Sequence, residues 1–178
     1  MNIVKELYAA INNANAWEGE IDLNRGQILS REGEINTKLY WVENGCLKIF
    51  IHDEEMEHII RFAYHQNFMS LIDSYFTENT TALNVNAIRK TKVKWISKTG
   101  INSLLYQNNK LQSLWKIVSE SLIVQQLERE IDLLTSSPKK RYERVFKRSP
   151  QLLQEVPLKY IASYLRMTPE TLSRIQKS

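Results

Sequence analysis

The sequence predicts an α+β chain: a short N-terminal helix, a small β-sandwich or barrel, one long helix and a C-terminal helix-turn-helix. Three observations carry this. Between residues 20 and 98, short alternating apolar runs are broken by turn residues at spacings of roughly 8–12 residues, the texture of a small all-β unit. From Leu111 to Leu134 apolar residues recur mostly three or four apart, a helical period held for longer than in an ordinary surface helix. After Pro138 the chain becomes basic and closes on two short apolar stripes separated by a brief turn.

Composition bounds the reading. The chain has 178 residues, 43% hydrophobic and 25% charged, enough apolar material for a real core in one ordinary domain or two small ones. No apolar stretch approaches the roughly 18 residues that span a bilayer. The start, MNIVKELYAAINNANAW, lacks a basic opening, an apolar run and a cleavage site, so no signal peptide is expected. Cys46 is the single cysteine; it can form neither a disulfide framework nor a four-thiolate cluster within one chain. A cytoplasmic location is expected. Charge is segregated: residues 138–178 hold ten Lys or Arg against three acids, net +7, and residues 1–137 hold 14 bases against 17 acids, net −3. A basic tail on a mildly acidic body points to a polyanion partner.

Residues 3–17 read as an amphipathic helix through Ile3, Leu7, Ala10, Ile11 and Ala14. In KLYWVENGCLKIFIHD, Asn44-Gly45 lies between two β-prone runs and predicts a tight hairpin, because Asn-Gly favours positive φ. Glu57–Phe68, Ala82–Ile88 and Lys92–Ile96 supply further strands. Thr99 or Asn102 is the expected cap of the long helix. Its stripe of Leu111, Leu114, Trp115, Val118 and Leu122, continued by Leu127, Ile131 and Leu134, predicts a homodimer interface. Ser136-Ser137-Pro138 ends it, and PKKRYERVFKRSP opens a helix with Tyr142, Val145 and Phe146 under a basic face.

The last 22 residues, PLKYIASYLRMTPETLSRIQKS, read as two helices. Leu158, Ile161, Ala162 and Leu165 form one inward stripe, Leu172 and Ile175 another, with Met167 at the corner. Thr168 suits an N-cap, Pro169 the first helical position, and Glu170 the positive end of the helix dipole. The second helix would then present Glu170 and Arg174 to base edges: Arg can donate twice to guanine, and Glu can accept from cytosine N4. Thr168, Thr171, Ser173 and Lys177 would lie at backbone phosphates of double-stranded DNA.

YIASYLRMTPETLSRIQK resembles the recognition motif of the cyclic-AMP receptor protein/FNR (Crp/Fnr) superfamily of transcription regulators, in a form frequent among Bacteroidetes-type members. SPKKRYERVFKRSPQLLQEVPLKYIASYL resembles the family's hinge and first DNA-binding helices, and REGEINTKLYWVENGCLKIF its early β-roll. The resemblance covers nearly the whole chain. It implies an N-terminal β-roll (a double-stranded β-helix, cyclic-nucleotide-binding-like) with a short helix at 1–100. A dimerisation helix would follow at 101–137, and a helix-turn-helix DNA-binding domain at 138–178. It also implies that Glu170 and Arg174 read bases, with Pro169 at a third base-reading position, and that Thr168 and Thr171 lie at the backbone. Family members continue into a short β-hairpin wing; this sequence ends at Ser178, and a wingless reader is expected.

The sequence departs from the family in three ways. The stretch NFMSLIDSYFTENTTALNVNAI lacks the Gly-Glu turn and the Arg of the phosphate cassette, and Arg89 lies just beyond it, so no cyclic nucleotide is expected. Cys46 alone cannot hold a cluster. Arg166 stands where the helix-turn-helix turn usually has glycine; with positive φ it would cost on the order of 1 kcal/mol. His52 and His58 could meet near a hairpin end, but Glu54, Glu55 and Glu57 beside them indicate a solvated turn. No metal and no cofactor is expected. Cys46 reads as a packing residue, with a redox sensor as the alternative. The effector, if any, is an unknown small molecule. The alternatives to a regulator are a sensor or scaffold with lost DNA binding and a cupin-type barrel enzyme.

Overall fold

The computed structural model describes residues 3–54 and 56–177. It runs α1 (Ile3–Asn13), β1 (Gly19–Leu23), β2 (Ile28–Ser30), β3 (Lys38–Asn44), β4 (Cys46–Asp53), β5 (Met56–Tyr64), β6 (Phe68–Met69), α2 (Ile72–Thr77), β7 (Asn84–Ala87) and β8 (Thr91–Ser97). Six helices follow: α3 (Lys98–Gln107), α4 (Asn109–Leu134), α5 (Pro138–Arg148), α6 (Leu152–Glu155), α7 (Leu158–Tyr164) and α8 (Pro169–Lys177). The strands form two antiparallel four-stranded sheets, ordered β1-β8-β3-β6 and β2-β7-β4-β5. Leu47, Val42, Val85 and Val93 fill the space between them.

Asn44-Gly45 is not a hairpin. β3 pairs with β8 and β6, and β4 pairs with β5 and β7, so the dipeptide is the corner where the chain leaves one sheet for the other. Gly45 has φ 96°, as Asn-Gly favours. What decides against pairing is the neighbouring strand: the Cys46 amide donates to Thr91 Oγ1 at 3.0 Å, and the Ile88 amide donates to the Cys46 carbonyl at 3.0 Å. The true hairpin is β4–β5, closed at Asp53–Met56 with Glu54 at φ 54°. Its register sets His52 opposite Glu57 and His58 opposite Ile51. The two histidines therefore lie on opposite faces of the sheet and cannot share an ion. Glu55 of that acidic turn lies outside the described residues. Among the described residues no group of three or more His, Cys, Asp or Glu side chains could hold a metal, and no helix is long and apolar enough to cross a membrane.

Cys46 is fully buried, and burial pushes its thiol up to about 12. A thiol so buried suits a packing residue better than a redox sensor.

The long helical pattern is two helices. Ser97, not Thr99 or Asn102, caps α3 by accepting the Gly100 amide at 3.0 Å. Asn108 breaks the run and caps α4, accepting from the Leu111 amide at 3.0 Å. The single apolar stripe also divides in two. Leu111 and Val118 are buried in the protomer's own core against Leu7, Ile11 and Ile101, with Leu114 and Trp115 half-buried against the same cluster. Leu122 is half-buried along the cavity between α4 and the barrel. By contrast Ile117, Val124, Leu127, Ile131 and Leu134 are exposed. The split falls between Leu122 and Leu127, where a five-residue step carries the pattern across the helix.

Gly45→Ala tests the corner. A Cβ there would stand 2.4 Å from Thr91 Oγ1 and 2.5 Å from the Lys90 carbonyl. With the φ penalty added, we expect a loss of at least about 2 kcal/mol in chemical denaturation.

Candidate nucleic-acid interface

Four short helices, α5 to α8, build the tail. Ser137 caps α5 by accepting the Lys140 amide at 3.3 Å, with Pro138 at the first helical position. α7 and α8 meet through Ile161, Ala162, Leu165 and Leu172, each at most 1% exposed. Met167 packs against the same cluster, at the corner the stripes predicted.

The turn between them has a defined chemistry. Arg166 sits at φ 50°, the left-handed region that the missing glycine implied. The Arg166 amide donates to the Ser163 carbonyl and the Met167 amide to the Ala162 carbonyl, both at 3.0 Å. This pair of bonds is a Schellman close, normally made around glycine. A buried side chain holds it from outside: Arg141, 8% exposed, donates to the Arg166 carbonyl at 3.1 Å and to the Thr135 carbonyl at 2.8 Å.

α8 then begins as its sequence specifies. Thr168 Oγ1 accepts the Thr171 amide at 3.2 Å and lies 3.1 Å from Thr171 Oγ1. Glu170 is fully exposed; its own backbone N–H and the Thr168 hydroxyl hold its carboxyl below the usual range. Pro169, Glu170, Arg174 and Lys177 are exposed, Thr171 and Ser173 half-buried, and Leu172 anchors the opposite side. Thr168 is exposed too, with its hydroxyl already engaged in the cap. The nine-residue helix and its cap thus bring together every residue predicted to touch DNA.

Not all of the basic tail is free. Arg144 and Arg148 pair with Glu128 and Asp132 of α4, and Arg141 is buried on carbonyl oxygens. Lys139, Lys140, Lys147, Lys159, Arg166, Arg174 and Lys177 remain exposed, so seven of the ten positive charges face outward.

The tail packs on the barrel through residues far apart in the chain. Val145, Leu152, Val156, Ile161 and Leu165 join Cys46, Phe50, Ile59, Phe62 and Ile88 in one buried cluster. Arg129 of α4, 7% exposed, stacks 3.7 Å from the Tyr164 ring centroid and donates to the carbonyls of Tyr164 at 2.7 Å and Ile59 at 3.3 Å. Arg89 bonds to Glu155 and donates to the Gly45 carbonyl at 3.2 Å, so it faces the tail rather than the barrel interior. The available signal was Tyr160 and Tyr164, an aromatic pair four apart on α7 beyond its apolar stripe.

Replacing Arg166 by Gly should relieve the left-handed strain without loosening the turn, because Arg141 grips the backbone carbonyl. We expect up to about 1 kcal/mol of added stability, read as a higher Tm.

No protein-family model and no curated protein sequence matches the chain. Solved structures do. A CooA mutant from Carboxydothermus hydrogenoformans is 13% identical, covers 93% of this chain and 77% of its own, and superposes with a TM-score of 0.73. FixK2 from Bradyrhizobium japonicum is 16% identical over 89% and 82%, TM-score 0.71. The c-di-GMP responsive global regulator CLP from Xanthomonas campestris is 13% identical over 96% and 90%, TM-score 0.67. These neighbours are Crp/Fnr regulators. From barrel through α4 to the terminal helix pair, the chain shares the fold of these neighbours.

Proposed function

We propose that the chain is a cytoplasmic, DNA-binding transcription regulator acting as a homodimer, with a barrel sensor over 1–100, a dimerisation segment over 101–137 and a DNA-reading tail over 138–178. The observation that carries this is α8: an anchored, capped helix presenting Pro169 and Glu170 outward in its first turn, with Arg174 one turn further along the same face and Lys177 beyond it. A recognition helix reads base edges from its N-terminal half. Arg174 supplies a two-pronged donor for guanine and Glu170 an acceptor for cytosine N4. Glu170 is ionised at neutral pH, since its neighbours favour the charged form. Thr168, Thr171, Ser173 and Lys177 lie where phosphates would pass.

The dimer face follows from α4. With Leu111 and Val118 spent on the protomer's own core, the pairing row is Ile117, Val124 and Ile131 alternating with Leu127 and Leu134, all exposed. These fall at heptad a and d positions, with β-branched residues at a and Leu at d, a pattern that favours a parallel two-stranded coiled coil. A two-fold dimer sets its recognition helices on half-sites about one helical turn apart.

Small-molecule control through the barrel is part of this reading, with a cyclic nucleotide disfavoured. In the segment between β6 and β7, Asp73 accepts the Ala82 amide at 2.9 Å and the Thr81 hydroxyl at 2.9 Å. A resident carboxylate takes up donors that a phosphodiester would need and repels it.

Gel shift with genomic fragments tests the reading: the protein should bind selectively and lose affinity steeply with salt. Arg174→Ala should relax preference at one base pair, by about 1–3 kcal/mol, whereas Lys177→Ala should weaken all sequences alike and lower the salt slope by about 1. Equal losses on every sequence for both variants would overturn the base-reading assignment. Leu127→Glu should yield a folded monomer in sedimentation; an unchanged dimer would move the interface elsewhere.

A further inference from the structure

Between β5 and the inward face of α4 lies a cavity of about 420 Å³, within the roughly 300–1,000 Å³ usual for small-molecule sites. Its apolar wall comes from Trp115, Val118 and Leu122 on one side and the barrel on the other. Among the described residues, the charged side chains lining it are three arginines, Arg61, Arg129 and Arg148, with no acid and no lysine.

The three arginines differ in what they already hold. Arg148 is neutralised by Asp132 and Glu128. Arg61 donates to the neutral Gln126 Oε1 at 2.6 Å. Arg129 is 93% buried by its 7% exposure; Nη2 serves two carbonyl oxygens, and Nη1 is buried with no hydrogen-bond partner. Asp132 acts on Arg129 through space, but both its oxygens are bonded to Arg144 and Arg148. A buried guanidinium with an idle N–H is costly until an acceptor meets it. It becomes useful when an anion fills the cavity.

We propose that this cavity binds an amphipathic organic carboxylate, its head held by Arg61 and Arg129 and its apolar body laid along Trp115, Val118 and Leu122. Arg61 and the unpartnered Nη1 of Arg129 can between them donate to the two oxygens of a carboxylate. The lining offers neither a lysine nor a glycine-rich run of backbone amides, so a dianionic phosphate is served less well. Arg129 also stacks on Tyr164 at the end of α7, which puts the head group one side chain from the helix-turn-helix. That occupancy alters DNA affinity rests on the regulator reading; the binding itself does not.

Calorimetric titration of the purified full chain without DNA provides the test, using octanoate, 1-octanol and octyl phosphate as probes. One octanoate should bind per chain, with 1-octanol and octyl phosphate each weaker by roughly tenfold or more. Arg61→Met should weaken octanoate by roughly tenfold to a hundredfold and leave 1-octanol unchanged. Arg61 has a neutral partner, so that variant should fold; Arg129→Lys, checked by its melt, should show the same selective loss. No octanoate binding at millimolar concentration, equal binding of 1-octanol, preference for octyl phosphate, or full octanoate binding by Arg61→Met would each overturn the proposal. Octanoate binding by a protein that shifts no DNA supports the cavity assignment and defeats the regulator reading.

Discussion

Asp132 has no exposed surface, and its carboxylate holds α4 to α5. Arg144 Nε donates to Oδ1 at 3.0 Å, Arg148 bonds Oδ2, and Glu128 binds a second nitrogen of each arginine at 2.7 and 3.3 Å. A buried carboxylate survives only when its charge and lone pairs are met, and removing one partner of such a group costs far more than the pair contributes net. The network therefore acts as a geometric constraint more than as a source of stability. It sets the angle of α5, and α5 carries Arg141 to the Thr135 and Arg166 carbonyls. Through those contacts the position of α8 depends on one acid six residues before the start of the basic helix.

A second constraint comes from the barrel. The tail shares its buried cluster with Cys46, Phe50, Ile59, Phe62 and Ile88. Around it, Lys48 pairs with Glu57 and lies 5.3 Å from the Tyr160 ring centroid, and Arg89 joins Glu155. Apolar contact fixes how far apart the two parts stand, since it is insensitive to direction. The charged contacts around the edge fix their rotation, because hydrogen bonds are directional.

The terminal helix pair was legible in the sequence because its determinants are local. Thr168, Pro169 and Glu170 act within one turn, and the conformation of Arg166 follows from the Schellman bonds to the carbonyls of residues three and four before it. Most strands were legible for the same reason. Asn44-Gly45 misled because its φ preference is real but pairing is decided by Thr91 and Ile88, more than 40 residues away. The stripe on α4 misled differently: spacings of three and four fit either face, and only packing against α1 separates Leu111 and Val118 from Leu127 and Leu134. The Arg129–Tyr164 contact joins residues 35 apart and leaves no trace in local pattern.

α4 carries two apolar rows on nearly opposite sides of one rod, Leu111–Trp115–Val118–Leu122 inward and Ile117–Val124–Leu127–Ile131–Leu134 outward. A rod cannot turn one face without turning the other. In a dimer, small-molecule occupancy on the inner side and self-association on the outer side share a single rotational coordinate, and thermodynamic reciprocity makes each a function of the other. The apparent sensitivity of such a protein to its ligand would then vary with its own abundance in the cell, so the level of expression becomes part of the dose–response curve.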